Sequence, residues 1–223
     1  RNLAIKKTRG EFVCFIDADD WWLKDKLSAQ IRYIQFQKNI NVIYSNLFLF
    51  YENNKKRKLF SYKKLYNGFI TQSLLNDFKM PILTTMIKRK ILLKYKFDRR
   101  FNIIGDFDLF LRISLKEKVL SIQKPLAYYR IHSSNLSKKR IDLNIKELET
   151  WVRENIKKKK FKKYDFSNLN LLIKTLKIKN FFENKNIYKA MKELFKKPIK
   201  LKNFQHLAFL FLQKRFLDKI QKK

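Results

Sequence analysis

The most constraining feature of the chain lies near its start. Glu11-Phe12-Val13-Cys14-Phe15-Ile16 is a short, nearly continuous apolar run that stops abruptly in Asp17-Ala18-Asp19-Asp20. A run of that length without polar alternation fits a strand buried on both faces, as in a parallel sheet. Before it, Asn2 to Arg9 reads as a helix end stopped by Gly10. After it, Leu23, Leu27, Ile31 and Ile34 recur at the spacing of one helix face. The order helix, strand, acidic turn, helix is an α/β layout. Ligands in open α/β sheets bind at the carboxyl ends of the strands. Asp17 and Asp19 therefore place two carboxylates where they can converge on one hard cation, Mg²⁺ or Mn²⁺, when a diphosphate supplies further oxygens. A polar loop in which Asp20 caps the next helix is the plainer alternative.

Further along, Asn41 to Tyr51 is rich in aromatic and β-branched residues and predicts a strand, followed by a polar turn over Glu52 to Lys58. Met80 to Ile87 reads as an entry and a strand, and Asp108 to Leu115 as a helix. Val119 to Ile122 and Ala127 to Ile131 suggest two short strands around Pro125. From about residue 140 the pattern turns helical. Ile145, Leu148, Val152 and Ile156 share one helix face, as do Leu169, Leu172, Ile173 and Leu176, and then Ile187, Met191, Leu194 and Phe195.

The formal net charge is +34. Residues 151–223 hold 22 Lys or Arg against 5 Asp or Glu, about twice the charge density of the preceding part. Such a surplus suits a polyanion, either nucleic acid or an anionic membrane. It also suits a compositional bias, because Lys, Asn, Ile and Phe are all abundant. Lys outnumbers Arg, which weakens a case for phosphate forks. Cys14 is the single cysteine, so no disulfide can form within the chain and a cytoplasmic setting is expected. No stretch approaches the ~20 apolar residues of a membrane span; Leu207 to Leu212 is far shorter. Gly-rich phosphate loops and Cys/His zinc spacings are missing from the sequence.

Three blocks, in order, carry a resemblance. The first is Arg1-Asn2-Leu3-Ala4-Ile5, Gly10-Glu11-Phe12 and Phe15-Ile16-Asp17-Ala18-Asp19-Asp20-Trp21-Trp22. The second is Phe97-Asp98 with Ile104-Gly105-Asp106-Phe107-Asp108-Leu109-Phe110-Leu111-Arg112. The third is Pro125-Leu126-Ala127-Tyr128-Tyr129-Arg130-Ile131-His132 with Asn135-Leu136-Ser137. Together they resemble the central and closing stretches of family 2 glycosyltransferases. The resemblance implies an α/β fold of the Rossmann-like GT-A type, with residues 1–140 the C-terminal portion of the catalytic domain, while charge and helical periodicity make residues 141–223 a basic, mostly helical tail.

By the same resemblance, Asp17 and Asp19 form the Asp-x-Asp motif that holds the cation and the sugar-nucleotide diphosphate, and His132 returns to that site as a further metal or phosphate ligand. Asp106 occupies the place of the catalytic base, with Asp108 its rival two residues on. The family often has Glu before this Asp, where Gly105 stands here. Arg1, Asp20, Trp21, Asp108 and Arg130 are the candidate substrate contacts, Trp21 as a sugar-stacking platform and Arg130 as an accessory phosphate contact. Asp106 can alternatively serve as a helix N-cap.

The function so implied is inverting, metal-dependent transfer of a sugar from a nucleotide-sugar donor to a glycan or lipid-linked acceptor. The expected partners are those substrates and an anionic membrane surface met by the basic tail. No specific nucleic acid is expected, since charge alone supports one. A non-catalytic remnant of the fold is the competing reading. The chain opens at Arg1, where the resemblance calls for a preceding nucleotide-binding half. Upstream sequence is therefore expected, and the chain alone is expected to bind donor weakly.

Overall fold

Two aromatic and β-branched runs build the centre of the sheet. In the computed structural model, which describes residues 1–37 and 40–196, they are β3 (Val42–Tyr51) and β6 (Val119–Ile131), paired in parallel. The sheet also contains β1 (Phe12–Cys14), β2 (Trp21–Trp22), β4 (Lys56–Leu59) and β5 (Met86–Lys88), in the order β1-β5-β3-β6-β2 with β4 also on β3. β5 runs antiparallel to both β1 and β3, so β1 points the same way as β3 and β6. All three strands thus deliver their carboxyl ends to one side of the sheet. The mixed α/β architecture is consistent with the GT-A arrangement.

Several sequence expectations change in detail. β1 is shorter than the apolar run and has an antiparallel neighbour rather than a parallel one. Only Val13 of its three residues is buried, and Ile16 beyond it is 51% exposed. The two strands expected around Pro125 are one strand. Pro125 has no N–H to give the ladder, and it sits opposite Asn46 where the register shifts on both sides. The expected polar turn after β3 is tighter, because β4 folds back on β3. Lys55, in the left-handed region at φ 55°, makes that reversal.

The helices are α1 (Asn2–Lys7), α2 (Lys26–Phe36), α3 (Thr71–Asn76), α4 (Arg89–Tyr95), α5 (Gly105–Ser114), α6 (Leu136–Lys139), α7 (Ile141–Asn155), α8 (Ser167–Glu183) and α9 (Ile187–Phe195). In α2 the apolar stripe packs only in part, with Ile31 and Ile34 against the core of Ile40, Ile43 and Met86. Lys26 and Gln30 are fully buried while Leu27 is exposed. Lys26 donates to Gln30 Oε1 at 2.8 Å and lies 4.4 Å over the Trp22 ring, and Gln30 donates to the Thr84 carbonyl. Burial pulls the Lys26 ammonium down to about 8.

The chain divides into two compact units, Arg1–Leu169 and Asn170–Lys223. The expected boundary at residue 140 falls inside the first, because α7 is part of its core. Trp151 is completely buried and meets Phe107, Phe161 and Phe166 at ring centroid distances of 5.1–6.1 Å. In the second unit, the Lys174 ammonium donates to the Leu194 carbonyl and so ties α8 to α9. No helix among the described residues is long and apolar enough to cross a membrane. The apolar run Leu207 to Leu212, His206 and the end of the basic tail lie outside the described residues.

Candidate active site

The acidic turn begins where β1 leaves the sheet. Asp20 N donates to the Asp17 carbonyl, closing a tight reversal over Ala18 and Asp19. Asp20 does not cap the following helix. Its buried carboxylate accepts from the backbone N–H of Arg130 at 2.9 Å and so fastens the turn to β6. Burial, with Asp19 and Asp17 adjacent, pushes the Asp20 carboxyl up to about 6 despite that bond. Trp21 and Trp22 then form β2 on β6 before α2 begins.

From the other side the chain returns at the end of β6. His132 donates from Nε2 to Asp19 Oδ2 at 2.7 Å, and its Nδ1 faces Ser134 Oγ at 2.6 Å. The His132 hydrogen bond holds the Asp19 carboxyl below the usual carboxylate range. Asn135 fixes this corner by accepting from His132 N and donating to the Arg130 carbonyl.

Asp17, Asp19, Asp20, Asp106 and Arg1 line one cavity of about 610 Å³. Asp106 stands in the first turn of α5 and accepts from Phe107 N at 2.8 Å. Desolvation raises its carboxyl above the ordinary value, although that hydrogen bond and the Arg1 charge oppose the shift. Arg1 packs over the Phe97 ring at 5.3 Å, and a Cβ on Gly105 would lie 3.8 Å from its Nη1. A Glu at position 105 would therefore stand beside Arg1. With Gly there, the guanidinium faces the cavity and Asp106 without that carboxylate.

The remaining candidates lie elsewhere. Asp108 is a correction to the expected substrate contacts. Its buried carboxylate accepts from Arg112 at 2.6 and 2.9 Å and from Trp151 Nε1 at 3.0 Å, pointing from α5 into the core. Asp108→Ala is expected to destabilise the fold by about 3–5 kcal/mol, because it leaves a mostly buried guanidinium unpaired; chemical denaturation measures this. Trp21 stacks on Tyr128 at 5.0 Å and meets Phe50 edge-on, and it does not line the cavity. Phe60, Phe78 and Tyr129 supply the cavity's aromatic surface instead. The Arg130 guanidinium reaches Glu52 at 3.4 Å, and its buried Nε has no hydrogen-bond partner among the described residues.

One supporting residue was not legible as such. Glu147 of α7 is buried, and its carboxylate accepts from the backbone N–H groups of Asn102, Ile103 and Ile104 at 2.8–3.1 Å. That loop forms the cavity wall beside Asp106. A glutamate on a helix assigned to a tail carries no local signal of this contact.

An α/β sheet with an acidic turn and a helix-borne carboxylate sharing one cleft defines the class. The family model described as "Glycosyltransferase like family 2" matches residues 1–197, and the chain belongs to that family. An uncharacterized glycosyltransferase, MJ1057 of Methanocaldococcus jannaschii, is 30% identical over 132 residues, 59% of this chain and 46% of its own length. The amylovoran biosynthesis glycosyltransferase AmsB of Erwinia amylovora is 29% identical over 147 residues, 59% and 46% of the two chains. The Escherichia coli UDP-Glc:alpha-D-GlcNAc-diphosphoundecaprenol beta-1,3-glucosyltransferase WfgD is 29% identical over 140 residues, 61% and 52%. The chain spans about half the length of these relatives.

Proposed function

We propose that this chain carries the acceptor side and the metal turn of an inverting transferase. It moves a sugar from a nucleotide-sugar donor to a glycan or lipid-linked acceptor. The observation that carries the reading is the shared cavity, in which Asp106, with its raised proton affinity, lies with Asp17, Asp19 and Arg1.

The donor set suits Mg²⁺ or Mn²⁺. Carboxylate oxygens are the hard ligands these ions take, and Asp17 and Asp19 would hold the ion. Among the described residues no three His, Cys, Asp or Glu side chains gather as a metal site, so the ion would need further oxygen ligands from outside the protein. His132 serves by orienting Asp19 rather than as a free ligand, since both its ring nitrogens are engaged. When bound, the cation supplies charge compensation for the departing nucleoside diphosphate.

The acceptor hydroxyl oxygen attacks the anomeric carbon, and its proton passes to Asp106. The bond from that carbon to the diphosphate breaks, and the electron pair leaves with the diphosphate. One displacement inverts the carbon. Arg1, beside Asp106, favours the ionised carboxylate that takes the proton. The name of WfgD gives its acceptor as alpha-D-GlcNAc-diphosphoundecaprenol, and a similar lipid-linked acceptor would place this protein at a membrane. The Lys-rich tail would hold it there electrostatically, each lysine contributing about 1 kcal/mol near an anionic surface.

Transfer from UDP-glucose, an α-linked donor, is expected to yield a β-linked product by nuclear magnetic resonance and to stop when EDTA removes the metal. An α-linked product, or turnover unaffected by chelation, would overturn the reading.

A further inference from the structure

A second hollow, of about 480 Å³, lies at the opposite end of α5 from Asp106 and shares no lining residue with the reaction cavity. Arg112 is six residues beyond Asp106, ~9 Å further along the helix axis. The hollow's walls are cationic. Lys116 follows α5, and Lys159, Lys160 and Lys163 come from the turn between α7 and α8, with Tyr95 and Tyr164 between them.

Abundant lysine alone does not explain the arrangement, because the turn that carries three of these lysines is anchored. Phe161, at its centre, is completely buried against Trp151 and Phe166. The Lys160 and Lys163 ammonium nitrogens lie 5.4 and 5.3 Å from the centroids of the Phe161 and Tyr164 rings. The floor is rigid as well. Arg112 is locked by Asp108 and by the carbonyls of Tyr95 and Lys96.

The charge of Lys116, Lys159, Lys160 and Lys163 is not offset by a salt bridge among the described residues, although Arg112 there is paired with Asp108. Two carboxylates act nearby: Asp108, bound to Arg112 and Trp151, also favours the charged form of Lys160, and Glu117 accepts from the Asn41 amide at 2.8 Å. Crowding is costly, since burial first and then Lys158 and Arg112 pull the Lys160 ammonium down. A multivalent anion offsets the repulsion among these cations, and convergent ammonium groups bind phosphate as point charges.

We propose that this hollow is a phosphate site that binds a phosphate-monoester or diphosphate group through Lys116, Lys159, Lys160 and Lys163. The group can arrive on a soluble molecule or as a lipid headgroup, and the chemistry of the site is the same for both. The site does not depend on the sugar-transfer reading.

The test uses the full protein in EDTA, so that no metal can hold a diphosphate at Asp17 and Asp19. One arm titrates inorganic pyrophosphate by calorimetry. The other sediments the protein with phosphatidylcholine vesicles, with and without phosphatidic acid. Two variants of equal charge are compared: Lys159→Gln/Lys160→Gln/Lys163→Gln at the hollow, and Lys55→Gln/Lys56→Gln/Lys58→Gln on the exposed β3–β4 hairpin. The expected result is binding in at least one arm that weakens about ten-fold or more in the first variant, through loss of charge-assisted contacts, and is unchanged in the second. Pyrophosphate binding alone identifies a soluble ligand, and vesicle binding identifies a headgroup; either supports the site. No binding in both arms, or equal weakening in both variants, overturns it.

Discussion

Asp106→Asn is expected to slow the chemical step by ~10²–10⁴-fold, the usual contribution of a positioned general base, while donor affinity stays near the parent value. The amide keeps the shape of the carboxyl and can still accept from Phe107 N, so the first turn of α5 is retained. What it loses is the ability to take a proton. Desolvation raises the Asp106 carboxyl, which brings its proton affinity closer to that useful at neutral pH. The parent rate should therefore rise with pH through the raised Asp106 value, and the variant should lose that limb. Stability moves in the opposite sense. A carboxyl raised by folding stabilises the native state below the ordinary carboxylate range, and that contribution disappears as pH rises through the folded value. At neutral pH the variant should then be at least as stable as the parent, although nearly inactive. A fall in kcat matched by an equal loss of donor binding would mean that Asp106 positions the donor instead.

The sequence was most legible where one local signal was sufficient. The Asp17–Asp20 turn and β3 depend on adjacent residues and lie where the sequence put them, whereas α5 begins at Gly105, three residues before the Asp108 that the pattern gave. It was least legible where a partner lies far along the chain. Asp106 and Asp108 are equivalent in spacing arguments, yet one lines the cavity and the other accepts from Trp151, 43 residues on. The choice between them depends on α7, which composition assigned to a tail. Lys26 shows the same limit in α2. The hydrophobic stripe finds Ile31 and Ile34 on the core but gives no sign of Lys26, for which the Trp22 ring and Gln30 together make a buried place.

α7 also changes what the basic extension is for. Glu147 satisfies three consecutive backbone donors in the cavity wall, and Trp151 anchors both Asp108 and the Phe161 turn. The same helix thus braces the reaction cavity and the cationic hollow at the other end of α5. α7 itself is not the source of the positive charge: it carries Lys146 and Arg153 against Asp142, Glu147, Glu149 and Glu154, and its buried face, with Glu147, Leu148, Trp151 and Val152, supplies the support.

Asp19→Ala is expected to remove metal-dependent turnover by ~10²–10³-fold or more, the scale of losing one preorganised electrostatic contact at developing charge. The fold should survive. Asp19 is one-third exposed on its side chain, so its pair with His132 contributes only about 1 kcal/mol or less after solvent screening. The sign of that contribution is fixed by the His132 hydrogen bond, which lowers the Asp19 carboxyl. Stability from this pair is present above the ordinary carboxylate range and is lost as pH falls through the lowered value. The alanine variant should therefore melt slightly below the parent at neutral pH and converge with it in acid. His132→Gln separates orientation from ligation. It leaves both carboxylates and frees Asp19 to rotate, so the metal concentration for half-maximal rate should rise by about 10–100-fold while the rate at saturating metal largely recovers. Unchanged turnover in Asp19→Ala would remove the metal assignment. Failure of His132→Gln to recover at any metal concentration would make the imidazole a ligand in its own right, with its bond to Asp19 broken when the ion enters.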